Sequence, residues 1–239
     1  MIKFIYKKLC LLGATVLMLG GVLVFGASHI SCGVSFSVPA VNASTQQLTS
    51  ILASDNFSKF THSPFGKSME PVNFIVVGSS TELDDTFRDI GWSKAAPLKE
   101  KTALKLAYAA LLRRNDATAP VTPSCYSGRR QEVSYEMPTD GVRQRHHVRF
   151  WRTGYTVNHQ PVWVGAASFD EDIKYLITHR IAPNIDDERN FIRQALLNNI
   201  DVSSIHSLSL VSPLTGKNQG GDHFYTDGKA YLVWLLPDA

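Results

Sequence analysis

The chain has little of what usually marks a function. Its 239 residues hold three cysteines and a net charge of only +3, with no internal repeat or low-complexity tract. So small a charge gives no case for a nucleic-acid partner. The basic residues also lack the stacking aromatics or helical basic stripe of a nucleic-acid reader. There is no HExxH helix and no other close ligand pair, so no metal is expected. Ser168 lies in "AASFD", outside any GxSxG elbow. Cys125 precedes "YSGRR", whose Cys-to-Arg spacing does not fit the cysteine phosphatase signature. "GKNQGG", residues 216–221, has neither Walker spacing nor a following helix and reads as a loop. No cofactor is implied.

Charge is also missing near the N-terminus, and that absence is informative. Lys3, Lys7 and Lys8 precede an uncharged run from Leu9 to Ser28, "LCLLGATVLMLGGVLVFGAS". About 20 residues at ~1.5 Å each reach ~30 Å, the thickness of a bilayer core. The lysines should stay cytoplasmic, which sends the rest of the chain across. Residues 1–30 are therefore expected to be a signal anchor or a signal peptide, with residues 9–28 as the membrane contact. The expected location is the inner membrane, single-pass, with an extracytoplasmic C-terminal domain. The alternative is secretion or lipid anchoring after cleavage, with Ala40, Ala43 or Cys32 as the marks. In such a compartment Cys32 and Cys125 can pair. Cys32 falls in an apparent linker, however, so two unpaired thiols are the plainer expectation.

An apolar fraction of 44% supports a globular core, and roughly 200 residues beyond the leader suit one domain. Residues 31–70 are rich in Ser, Thr, Asn and Ala and read as a linker. They hold a short helix near Thr45–Ala53, and the remainder is a tether or a peripheral wrap. The domain is expected over 71–239. "VNFIVVG" is a buried strand, and a helix capped by Ser80 or Thr81 follows it. A second helix is expected near 98–114. "QEVSYEMP", "RQRHHVRFWR", "PVWVGAASFD" and "IKYLITHRI" read as strands, with a turn at Thr139–Gly141. "DDERNFIRQALLNNI" is a helix with Phe191, Ala195 and Leu196 inward and Ile192 at the edge. Two more strand regions follow, the last with an Asp227-Gly228 hairpin turn. Helices and sequential strands mix without regular βα alternation. The fold class is therefore α+β, a mainly antiparallel sheet with about three helices packed on it, preceded by the N-terminal transmembrane or signal helix.

The order of several short motifs is similar to that of the LssY C-terminal domain family over about Pro71–Val202. The motifs are Pro71-Val72-Asn73, Val77-Gly78-Ser79, Gly91-Trp92 and Gly128-Arg129-Arg130-Gln131. A central set follows: Arg143, Arg145, His146, His147, Arg149 and Trp151. A late set runs from His179 through Ile181, Pro183, Ile185 and Asp186 to Glu188 and Arg189. The resemblance implies a bacterial envelope domain and brings no reaction with it. Some relatives join this domain to membrane phosphatase-type modules. This chain lacks their spaced Lys-Arg, Gly-His and Arg-His signatures, so phosphatase activity is not carried over. Cys125 is outside the family pattern.

"QRHHVRFWR", residues 144–152, carries three arginines, two histidines and two aromatics. Strand side chains alternate. Arg143, Arg145, His147, Arg149 and Trp151 should share one face, with His146, Val148 and Phe150 on the core side. Arginines two residues apart sit ~6–7 Å from each other and repel. Local acids or a bound anion must offset them. The acids on offer are Asp170, Asp172, Asp186, Asp187 and Glu188, and pairing of Arg145 and Arg149 with the "DDER" helix start is the plain structural expectation. The functional expectation is an anion site of Arg129, Arg145, His147 and Arg149, supported by Asp170, Asp186 and Glu188. It would bind a phosphate or carboxylate, a small molecule or a lipid headgroup. A rival reading is a hydrolase of phosphorylated or acylated envelope substrates, with His147 or His179 as general base. A third is a structural partner of a secretion or lipid-transport assembly in the envelope.

Overall fold

A computed structural model describes residues 32, 40–63, 65–96, 123–139, 144–174, 178–218 and 220–236. The apolar run 9–28, the helix expected at 98–114, most of the 139–141 turn, Arg143 and the side chain of His179 lie outside the described part.

The first elements are β1 (Val41–Ala43), α1 (Thr45–Ala53), β2 (Phe60–His62), β3 (Ser68–Pro71), β4 (Phe74–Val77), α2 (Ser80–Asp89) and β5 (Ser93–Lys94). Next come β6 (Cys125–Tyr126), β7 (Arg129–Arg130), β8 (Val133–Pro138), β9 (Arg145–Val157), β10 (Gln160–Lys174) and β11 (Thr178–Ile181). The last are α3 (Ile185–Leu196), β12 (Val202–Ser209), β13 (Leu214–Lys217), β14 (His223–Thr226) and β15 (Lys229–Leu235). The main sheet runs β12-β15-β4-β10-β9-β8-β5, with β1 added to β9 and β11 to β10. Its pairings are antiparallel except β15–β4 and β1–β9. A smaller sheet runs β3-β2-β6-β7, and β13 pairs with β14. The fold is α+β, as the mixed order of elements predicts.

The long pair β9–β10 divides two cores. On one side Val148, Phe150 and Trp163 pack with Leu83 and Phe87 of α2 and Ile192 and Leu196 of α3. On the other, Trp151, Val162 and Val164 pack with Leu48 and Leu52 of α1 and Tyr126 of β6. The strict two-residue period of β9 creates this split. At Gly165 a Cβ would stand 2.5 Å from the Phe150 ring, so only glycine lets that ring lie across the neighbouring strand. Asn73 replaces missing ladder bonds at the start of β4. Its amide donates to the Ala167 carbonyl at 3.0 Å and accepts from the Ala167 N–H at 2.9 Å. That clamp fixes the stretch of β10 that carries Ser168 and Asp170.

Several expectations change. The segment read as a linker holds the short helix expected at Thr45–Ala53, α1, with Leu48 and Leu52 buried, and adds the strands β1, β2 and β3. Ser44 and Gln47 cap α1 reciprocally, each accepting the other's backbone N–H. Cys32 and Cys125 form a disulfide across 93 residues, where two thiols were the plainer expectation. The cap of α2 is Ser79, one residue before the expected pair, because Glu82 reaches back to its N–H. "IKYLITHRI" is not one strand. Its two ends fold on each other, Ile173 opposite His179. The turn at Gly228 has the left-handed φ of +78°, but it is no hairpin, since β14 pairs with β13 and β15 with β4 and β12. In α3 the inward face centres on Ile192, while Phe191 is 41% exposed and stacks on His146 at 4.1 Å.

Candidate functional site

Antiparallel register brings three strands' polar residues into rows. His147 of β9 sits opposite Glu136 of β8 and Ser168 of β10. Arg145 sits opposite Asp170, and Arg149 opposite Ser134. All these side chains belong to the face of β9 that also carries Trp151. Glu136, His147, Ser168 and Asp170 are buried.

Arg145 is gripped from both sides. Its Nε donates to Asp170 Oδ2 at 3.0 Å and its Nη1 to Glu136 Oε2 at 2.9 Å. Only 11% of its side chain is exposed. His147 Nε2 lies 2.9 Å from Ser168 Oγ and 3.0 Å from Arg149 Nη1. A guanidinium only donates, so Nε2 accepts and the proton belongs on Nδ1. Nδ1 faces Asp170 Oδ2 at 3.4 Å, a charge contact rather than a full hydrogen bond.

Burial sets the protonation states here. It lowers the His147 imidazole to about 4 despite the opposing charge of Asp170, and Arg149 adds to the depression. His147 is therefore neutral near pH 7. Burial also lowers the Arg149 guanidinium, against support from Glu70 and Asp170, and Arg145 repels it. Glu70, on β3, is raised by burial and stabilised in part by Arg149. The face thus gathers two guanidiniums, two buried carboxylates, a neutral imidazole and a carboxyl biased toward its protonated form.

This burial has a measurable sign. Between pH 6.5 and about 4 the unfolded imidazole binds a proton that the folded one refuses. The stability of the fold should therefore fall as pH drops through that window, by about 3 kcal/mol for this group at full effect. Urea midpoints at pH 7 and 4.5 measure it, and a His147→Gln variant should show a shallower slope.

The other expected site residues are placed as follows. Asp170 joins the network as a supporting acid. Asp186 does not: it accepts from Thr226 Oγ1 at 2.6 Å and from the Asp227 N–H at 2.7 Å, holding the turn before β15. Glu188 does not either. It bonds His146 Nδ1 at 2.7 Å, at the even-numbered side chains of β9, and burial raises its carboxyl. For Arg145 the expected pairing with the "DDER" start is thus replaced by Glu136 and Asp170, and Arg149 contacts His147. The acids of that turn serve its own Arg189, which lies 3.1 Å from Asp186, along with His146 and the Asp227 turn. Arg129 stands apart, with contacts to Glu132 at 3.1 Å and to the Arg152 carbonyl. For His179 only the backbone pairing with Ile173 is described. Glu136, Glu70 and the hydrogen bond of Ser168 do not stand out in the sequence. The polar residues of "SYEMP", alternating against Val133, Tyr135 and Met137, are the signal that points to Glu136.

The architecture sets this buried polar face within an α+β domain. The family described as LssY C-terminus matches residues 54–230. The chain belongs to that family. The match begins before β2 and ends in β15, wider at both ends than the motifs alone indicate. No curated protein and no solved structure matches the chain.

Proposed function

We propose that the protein is a membrane-tethered envelope protein whose domain receives an anionic group, a phosphate or carboxylate, beside Arg149. The observation that carries this reading is the row of Arg145, His147 and Arg149 on one face of β9. Arg145 bridges two carboxylates, and Arg149 is the guanidinium of the row that adjoins neutral His147 and, through it, Ser168, which serve as hydrogen-bonding companions. Arg149 is half-buried, and burial disfavours its charge. A bound anion would add to the support that Glu70 and Asp170 already give that charge. The Cys32–Cys125 bond supports an extracytoplasmic domain, because such bonds persist in oxidising compartments. The uncharged run 9–28 supports the tether.

Titration calorimetry tests the reading with inorganic phosphate in one arm and phosphatidylglycerol vesicles in the other. Phosphatidylcholine vesicles serve as the control. Binding is expected in at least one anionic arm, weakened about 10–100-fold by Arg149→Gln, the worth of a charge-assisted hydrogen bond. Equal affinity of the variant contradicts the assignment. Binding in neither arm contradicts anion recognition.

One observation favours a second reading, a hydrolase of phosphorylated or acylated substrates. Ser168 Oγ, His147 Nε2 and Asp170 form a hydroxyl–imidazole–carboxylate series. In that reading His147 takes the Ser168 proton as Oγ attacks the phosphorus or acyl carbon, and hands it to the alcohol whose bond to that centre breaks; water then releases the group from Oγ, with Arg149 steadying the developing negative charge. Both groups are buried and His147 is a weak base, so turnover requires opening of the face. p-Nitrophenyl phosphate and p-nitrophenyl acetate are the probes. Activity abolished by Ser168→Ala supports the reading, and absence of turnover on both removes it for these substrate classes.

A further inference from the structure

We infer that the β2–β3 hairpin tip docks on the bilayer surface, with Phe65 entering the interfacial layer and Lys67 meeting anionic headgroups. The inference rests on the tether reading of residues 9–28 and adds to it an orientation and a contact.

The disulfide fixes which side of the domain faces the membrane. Cys32 is four residues beyond Ser28, the end of the uncharged run. Four residues span at most about 14 Å when fully extended. Cys32 is bonded to Cys125, with the two Cα atoms 5.7 Å apart. A chain leaving a bilayer at Ser28 is therefore tied almost at once to β6. Whatever the path of the intervening residues, β6 belongs to the membrane-proximal side of the domain.

The strand register places the hairpin there. Cys125 pairs directly with His62, the last residue of β2. The turn that follows is closed by Ser63 N–H to the Lys67 carbonyl at 2.8 Å, and by Lys67 N–H and Gly66 N–H to Ser63 Oγ and its carbonyl. Phe65 projects from that turn with 93% of its surface exposed. No other large hydrophobic side chain among the described residues is so exposed. It lies three residues from His62, a reach of about 10 Å at most. Lys67 beside it is exposed, and the tip sequence "SPFGKS" has no acid. An aromatic ring with an adjacent lysine on a tight turn suits the boundary between headgroups and acyl chains. In water the same exposed ring gains nothing from burial.

The test uses the full chain expressed in membranes, with Phe65 replaced by the photocrosslinker p-benzoylphenylalanine. A control carries it at Ile200, which is 86% exposed and lies beyond α3. After irradiation, lipid adducts are expected at position 65, at least fivefold above position 200. Lys67→Glu is expected to lower them several-fold, and neither position supports the core. Carbonate extraction separates the two claims. Protein released by carbonate overturns the tether and this contact with it. Protein retained, with position 65 labelled no more than position 200, overturns the contact alone.

Discussion

Arg145→Met is expected to lower the unfolding free energy by about 3–5 kcal/mol, the range for breaking a buried ion pair from one side. The reason lies in what remains. Methionine fills much of the volume, so the loss is not a cavity effect. Glu136 and Asp170 stay buried on adjoining strands without the guanidinium that bridges them. Arg145→Lys should lose less, since it keeps the charge but not the fork that reaches β8 and β10 together. Adding Glu136→Leu to Arg145→Met should recover part of the loss, because one of the two stranded carboxylates is gone. Urea midpoints of the three variants measure the effect. A single variant within about 0.5 kcal/mol of the parent contradicts the internal neutralisation of β9.

Reduction of the Cys32–Cys125 bond is expected to cost a similar amount. A loop of 93 residues lies at the long end of the chain-entropy relation, which gives about 4–5 kcal/mol; measured losses commonly fall at about 2–5. The physical content is that the unfolded chain regains the freedom of a long loop, while β6 loses its tie to the N-terminal wrap. Unfolding with and without reductant measures it, with Cys125→Ser as a check against reductant artefacts. An unchanged midpoint, in protein shown by thiol counting to be reduced, contradicts a structural role for the bond.

The parity of β9 is legible in the amino-acid order alone, because a strand period of two needs no tertiary information. Val148 and Phe150 face the helices, and Arg145, His147 and Arg149 share the opposite face with Trp151. The partners of that face are not legible in the same way. Which acid meets Arg145 depends on the register of β8 and β10 against β9, and the two-residue period does not state that register, which also shifts between Pro161 and Trp163. The "DDER" acids are the nearest acidic cluster of a recognised motif. They serve the Asp227 turn and His146 instead, because α3 packs on the other side of β9. Ser168 is visible in the sequence only as a serine outside a nucleophile elbow. Its hydrogen bond to His147 comes from cross-strand pairing, not from local sequence. The wrap over 41–71 is legible only in part: α1 shows in the sequence, with Leu48 and Leu52, four apart, as its buried stripe, while the polar residues around it hide β1, β2 and β3.

The odd-numbered face of β9 is, at bottom, a buried polar network around a neutral imidazole. Side-chain nitrogen NMR of His147 across pH 3 to 8 tests this most directly. The expected result is an Nδ1–H tautomer through the neutral range and protonation only near pH 4. A histidine that titrates freely near 6.5, with its two nitrogens averaging between tautomers, would contradict it.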